Sequence, residues 1–116
     1  MLNSLKTNSE FGFVYRNGRS YANKYLVMYV LKNDLSLNRI GISVSKKVGN
    51  SVVRHRITRL IREGYRLNQA AFHTGYDIVV VARVGAKGKN CFDISGALIH
   101  LGKLHQIMVP TAEKKV

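Results

Sequence analysis

From Ser43 to Arg66 the chain runs S-V-S-K-K-V-G-N-S-V-V-R-H-R-I-T-R-L-I-R-E-G-Y-R, and Val53, Ile57, Leu60 and Ile61 fall at i, i+4, i+7 and i+8 within it. That spacing puts the four side chains on one face of a helix. Gly64 belongs to the same sector. His55, Arg59, Arg62 and Arg66 project from the opposite side, with Arg54 and Arg56 on the flanks. Val48-Gly49-Asn50 reads as a turn into an N-cap, so Lys46 and Lys47 stand just ahead of the helix start. The segment holds Lys46, Lys47, Arg54, Arg56, Arg59, Arg62 and Arg66 against one acid, Glu63. Cations near a helix N-terminus oppose its dipole, which favours anions there. An ordinary solvated face interleaves both signs. This one is nearly all positive, the pattern of a surface that meets phosphates.

The flanking segments read as strands. Arg39 to Ser45 alternates Ile40, Ile42 and Val44 with Gly41, Ser43 and Ser45. The small-residue face admits a close neighbour, either a packed helix or an extended RNA strand. After the helix the chain breaks near His73-Thr74-Gly75, and Asp77 to Ala82 is a β-branched run suited to a buried strand. Strand, helix and strand in this order make a βαβ unit with the basic helix as its crossover.

Farther out, Tyr25 to Leu31 is a strand apolar on both faces, with Tyr25, Val27 and Tyr29 opposite Leu26, Met28 and Val30. Thr7-Asn8-Ser9-Glu10 matches a capping box. The helix it opens carries Phe11, Val14 and Tyr15 on one face and should end at Gly18, a good residue just past a helix end. Phe11 and Tyr15 either fill the core or line a groove where bases stack. Gly85 to Asn90 reads as a mobile basic loop. Asp93 is the expected cap of a last helix carrying Ile94, Ala97, Leu98, Leu101, Leu104 and Met108, weakened by Gly96 and Gly102 and ended by Pro110. Residues 109–116 read as a flexible tail.

Composition sets the outer limits. A chain of 116 residues with 46% hydrophobic content makes one domain, 1–116, without low-complexity segments or repeats. No apolar run approaches membrane-span length, and Met1 to Lys6 has no signal-peptide core. A single cysteine, Cys91, fits a reducing compartment, and cytoplasmic localisation is expected. The net charge of +13, from nineteen Lys and Arg against six acids, implies a polyanionic partner. Nucleic acid fits better than a membrane surface, because the amphipathic helix is embedded among strands.

Groups for hydrolysis are scattered. Glu10, Asp34, Glu63, Asp77, Asp93 and Glu113 occur singly, whereas a metal nuclease clusters its carboxylates. His100 and His105 are five residues apart, which does not put a zinc pair on one helical face. Nothing sets His55 opposite another histidine for metal-free acid–base work. No glycine loop of the nucleotide-binding kind is present. The chain reads as a binder, with no catalytic residue and no metal ligand assigned.

The segment G-I-S-V-S-K-K-V-G-N-S-V-V-R-H-R-I-T-R-L-I-R-E resembles the signature of the bacterial ribonuclease P protein component. The likeness extends to the first helix with Phe11 and Tyr15, to N-G-R-S-Y-A-N-K, and to D-I-V-V-V-A-R. Two positions depart from the family pattern: His55 replaces the central Asn of Arg-Asn-Arg, and Thr58 replaces the Lys of Lys-Arg. The resemblance implies an α/β (α+β) two-layer sandwich in the order αβββαβα, with a four-stranded mixed sheet and a left-handed βαβ crossover. It implies assembly with a catalytic RNA that, with Mg²⁺ held mainly by that RNA, removes the 5′ leader of precursor tRNA. Lys46, Lys47, Arg54, His55, Arg56, Arg59, Arg62 and Arg66 would contact the catalytic RNA; Thr58 would not. Phe11, Tyr15, Val27 and Tyr29 would line the leader groove. No protein partner and no membrane is implied. The alternative reading is a ribosomal or general RNA-binding protein without a role in cleavage.

Overall fold

The computed structural model describes residues 2–110. In chain order it contains β1 (Asn3–Ser4), α1 (Asn8–Asn17), β2 (Arg19–Ala22), β3 (Leu26–Lys32), β4 (Arg39–Ser43), α2 (Ser51–Asn68), β5 (Tyr76–Ala82) and α3 (Cys91–Leu104). Short 3-10 turns cover Gln69–Ala71 and Val84–Ala86. No described helix is long and apolar enough to cross a membrane.

The basic helix is α2, and Asn50 caps it by accepting a hydrogen bond from the Val53 amide at 3.0 Å. Ile57, Ile61, Gly64 and Tyr65 are buried, with Val53 and Leu60 packed at the margin. Burying one isoleucine is worth about 1.5–3 kcal/mol. A cation near the dipole's positive end opposes the helix by only about 0.3–1 kcal/mol. Packing therefore wins, and the helix tolerates Lys46 and Lys47 ahead of its start. Its flanking strands β4 and β5 pair in parallel, Gly41 with Val79 and Ile42 with Val80, which completes the βαβ unit.

The sheet is mixed, in the order β1-β4-β5-β3-β2. It has five strands where four were expected. The extra one, β1, pairs Asn3 with Arg39 and Ser4 with Ile40, and two residues are too few to show a period in the sequence. Strand parity divides the faces. Leu26, Met28, Val30, Ile40, Ile78, Val80 and Ala82 meet α2 and α3 in the main core. On the other face Val79 is buried with Leu5 and Val14 beneath α1, and Phe11, Tyr29, Leu31 and Val81 pack around them. At Gly41 a side chain of α1 lies against the sheet: a Cβ there would stand 2.6 Å from the Phe11 ring. The neighbour that this small-residue position admits is thus a packed helix.

Helix ends follow local chemistry. Thr7 and Glu10 form the expected capping box. Gly18 follows α1 in an extended conformation, and its lack of a Cβ matters because a Cβ there would stand 2.7 and 3.0 Å from the carbonyl oxygens of Val14 and Val30. The cap of α3 is Asn90, not Asp93. Asn90 accepts from the Asp93 amide at 2.9 Å, and the Asp93 carboxylate accepts from the Asn90 amide at 3.3 Å. Pro110 does not end α3 either. Gln106 adopts φ 62°, and the amides of Gln106 and Ile107 donate to Lys103 and Gly102 at 3.0 and 3.1 Å, a left-handed closure of the final turn. Met108 consequently lies off the helix, bridged to Phe72. Gly102 is needed there, since a Cβ would run into Met108 and Phe72. Of the expected tail, Val109 donates to Ala71 at 2.7 Å, and 111–116 lie outside the described residues.

One charge is buried in the sheet. Asp77, 5% exposed, accepts from Arg39 Nε at 2.8 Å and Nη2 at 2.7 Å, and from Asn33 Nδ2 at 2.9 Å. Arg39 also reaches Glu10 of α1 at 3.7 Å. Burial pushes the Asp77 carboxyl upward, but the hydrogen bonds from Arg39 and Asn33 and the Arg39 charge outweigh it and hold the group below its ordinary 3.8. A carboxyl with a depressed folded-state pKa stabilises the fold fully above its unfolded value. That contribution is lost as pH falls through the folded value. The wild-type chain should therefore lose stability as pH drops below about 4, with Asp77 as a main contributor. Asp77→Asn should cost roughly 1.5–3 kcal/mol near neutrality and flatten the acid limb in urea unfolding. An unchanged acid limb in Asp77→Asn would show that the pair does not link pH to stability.

Candidate nucleic-acid interface

Two surfaces collect the residues singled out from the sequence, one on each side of the sheet. On the outer side of α2, His55, Arg56, Arg59, Arg62 and Arg66 are exposed, with Lys46 and Lys47 exposed in the turn before it. A cleft of about 500 Å³ runs along this side, lined by Val52, His55, Arg56, Arg59, Leu60 and Glu63. The cations are not equivalent. Arg54 is half-buried and its Nε donates to the Gly49 carbonyl at 3.2 Å, bracing the turn into the helix. Arg56 Nη2 donates to the Lys89 carbonyl at 3.0 Å and so ties the loop before α3 to α2. Arg66 holds Glu63 through two bonds of 2.7 and 3.0 Å. The Arg66 hydrogen bonds keep the Glu63 carboxyl below its ordinary range, and the pair cancels most of its own charge. Arg59, Arg62 and His55 are exposed and make no such bond among the described residues. Thr58, where the family pattern has a lysine, turns its hydroxyl back to donate to the Arg54 carbonyl at 2.9 Å.

On the opposite side, Phe11, Tyr15 and Tyr29 meet where α1 crosses the sheet. The Phe11 and Tyr15 rings are 6.4 Å apart, and Tyr15 stands edge-on to Tyr29 at 4.9 Å. Tyr15 is 39% exposed, whereas Phe11 is held against Gly41. Val27 is half-buried on the same face, opposite Val81, with Ser43 the next residue across. Between α1 and the sheet lies a cleft of about 460 Å³ lined by Asn8, Phe11, Gly12, Tyr15, Ile42 and Ser43. Asn8, Gly12 and Ser43 were missed from the sequence. The signal was present: 8, 11, 12 and 15 follow i, i+3, i+4, i+7, and Ser43 shares the parity of Gly41.

The two surfaces meet at the end of β4. Ser43 borders the aromatic cleft, Lys46 and Lys47 follow in the turn, and α2 begins at Ser51. Positive charge dominates outward because four of the acids are engaged. Glu10 accepts from the Lys6 and Thr7 amides, Asp77 holds Arg39, Glu63 holds Arg66, and Asp93 closes a capping box. Among the described residues no group of three or more His, Cys, Asp or Glu side chains comes together. His100 Nδ1 lies 3.1 Å from Asn23 Nδ2, and His105 Nε2 lies 2.9 Å from the Met28 carbonyl, so the two rings have separate partners.

A family model described as Ribonuclease P matches residues 2–105. The chain is 68% identical over 108 residues to the ribonuclease P protein component of Lachnoclostridium phytofermentans, covering 93% of each chain. It is 52% identical to that of Alkaliphilus metalliredigens, covering 85% of this chain and 89% of the relative. Among solved structures, the Staphylococcus aureus RNase P protein superposes with a TM-score of 0.82 at 36% identity, covering 92% of this chain and 98% of the other. The Thermotoga maritima RNase P protein gives 0.80 at 28% identity, covering 88% and 96%.

If the outer face of α2 meets phosphates, Arg59→Ala and Arg62→Ala should each lessen the slope of log affinity for RNA against log salt by about one. Circular dichroism should stay unchanged, because both side chains lie away from the core. Glu63→Gln should steepen the slope by freeing Arg66. Unfolding of the arginine variants, or a slope indifferent to all three changes, would show that this face does not bind phosphate.

Proposed function

The chain belongs to the ribonuclease P protein family, and from that membership we propose how its two surfaces divide the work. It is the polypeptide part of an endoribonuclease of tRNA 5′ maturation in which the RNA subunit carries out the cleavage. In our reading the outer face of α2, with Lys46, Lys47, Arg54, His55, Arg56, Arg59, Arg62 and Arg66, contacts the catalytic RNA. The cleft with Phe11, Tyr15, Val27 and Tyr29 holds the single-stranded 5′ leader of precursor tRNA. The observation that carries this division is that the cationic and aromatic surfaces lie on opposite faces of one sheet, joined through β4 and the Lys46–Lys47 turn. Both can be filled at once.

The chemistry of each surface suits its ligand. Arg59 and Arg62 supply planar donor forks for phosphate oxygens. His55 offers ring nitrogens where the family pattern has an amide, so it can still donate and accept one hydrogen bond each. Arg54 and Arg56 act partly by holding the turn and the loop before α3 in place. Rings at the aromatic cleft offer stacking area to unpaired bases whatever their identity. Carboxylates that are scattered and engaged in caps and ion pairs do not fit a tightly held Mg²⁺, and we assign that ion to the RNA subunit. The site of action is the cytoplasm, where precursor tRNA is processed. Family membership weighs against a general RNA binder without a role in cleavage.

Precursor tRNA with and without its leader separates the surfaces. Tyr15→Ala should weaken binding of the leader-bearing substrate by about 1–3 kcal/mol per lost stack and leave leaderless RNA unaffected. Phe11→Ala should do the same while also lowering stability, because its ring fills the space over Gly41. Equal losses on both substrates for Tyr15→Ala would assign the ring to the core instead.

A further inference from the structure

The interior glycines of the helices differ in what explains them. A Cβ at Gly64 would stand 3.1 Å from Ser95 Oγ and one at Gly102 would strike Met108 and Phe72, so close packing requires both. Gly96, in the middle of α3, has no such reason: it is exposed, and a Cβ there would meet nothing within 4 Å. Glycine at an exposed helix interior destabilises relative to alanine. One turn earlier stands Phe92, 86% exposed, on a helix start fixed by the Asn90–Asp93 capping box. Residues i and i+4 share a helix face, and a helical side chain leans over the turn N-terminal to it. A side chain at position 96 would lean toward Phe92. Its absence leaves one flank of the ring bare. Ile99 and Lys103 continue the same stripe at i+7 and i+11, and no carboxylate lies on it.

We propose that Phe92 and Gly96 form a shelf on which an unpaired RNA base stacks, with Lys103 placed farther along the stripe to meet the phosphate backbone. The proposal rests on the RNA-binding reading above and adds a contact outside both surfaces described there. A phenyl ring offers any base a π face, and the bare flank over Gly96 gives the base room to lie flat. RNA is favoured as occupant by the net charge of +13 and by the cation on the stripe. The nearest acid, Asp93, is engaged by the Asn90 amide. The shelf also accounts for a glycine that packing does not explain.

The test measures affinity for ribonuclease P RNA at several salt concentrations, with melting temperature recorded for each variant. Phe92→Ala should lose about 5- to 150-fold in affinity, the worth of one stacked base, with an unchanged salt slope and melting temperature. Phe92→Trp should retain binding. Gly96→Ala should melt higher yet bind RNA more weakly, a pairing of signs that a purely structural role does not produce. Wild-type affinity in Phe92→Ala, or in a stabilised Gly96→Ala, overturns the shelf. So does a Phe92→Ala variant whose RNA-free oligomeric state changes in sedimentation, which would mark a protein-binding surface. Arg59→Ala measured alongside separates the failures: if it weakens binding while Phe92→Ala does not, the RNA-binding reading stands and only the shelf falls.

Discussion

Burial of one narrow stripe of α2 governs this molecule. Ile57, Ile61, Gly64 and Tyr65 must face the sheet and α3, and the charged residues between them, Arg59, Arg62 and Glu63, are thereby turned outward. Gly64 makes the fit possible, because Ser95 and Leu98 occupy the space where its side chain would be. The arginines do not choose their direction. The aliphatic residues choose it for them, at a stabilisation larger than the electrostatic strain of gathering cations on one helix. As the crossover between parallel neighbours, α2 must also start at the end of β4, which sets Lys46 and Lys47 at the rim between the two faces.

The second face is organised by a small residue as well. Gly41 lets the Phe11 ring settle onto β4, which brings α1 close enough for Tyr15 to meet Tyr29. Arg39, two residues before Gly41 on β4, binds the buried Asp77 directly across on β5 and reaches toward Glu10, so two ion pairs fasten β4, β5 and α1 together. The same economy shapes the surface charge: most acids are spent on caps or internal pairs, and the surplus of cations is left to the solvent side.

Much of this was legible because it is local. The 3.6-residue period of α2, the βαβ order and the Thr7–Glu10 capping box depend on residues near one another in sequence. The Arg66–Glu63 pair was equally legible from its i, i+3 spacing, yet both residues had been read simply as part of a charged face. Asn90 was overlooked as a cap because Asp93, its reciprocal partner, is also a good capping residue. Other features had no local signal. β1 is two residues long and exists only because β4 offers a free edge. The end of α3 depends on Gln106 adopting a left-handed conformation that its side chain does not announce. That cationic and aromatic residues would lie on opposite faces depends on the sheet order, which spacing alone does not give.

On the proposed division of labour the polypeptide is a positioning and charge-neutralising component rather than a source of catalytic groups. Divalent ions also screen repulsion between two RNAs, so protein and Mg²⁺ should partly replace one another. A magnesium titration of precursor-tRNA cleavage, run with RNA subunit alone, polypeptide alone and both together, tests this most directly. The account predicts no cleavage by the polypeptide alone, and a lower magnesium requirement when it joins the RNA. Cleavage by RNA-free polypeptide, or a magnesium requirement that its addition leaves unchanged, would contradict it.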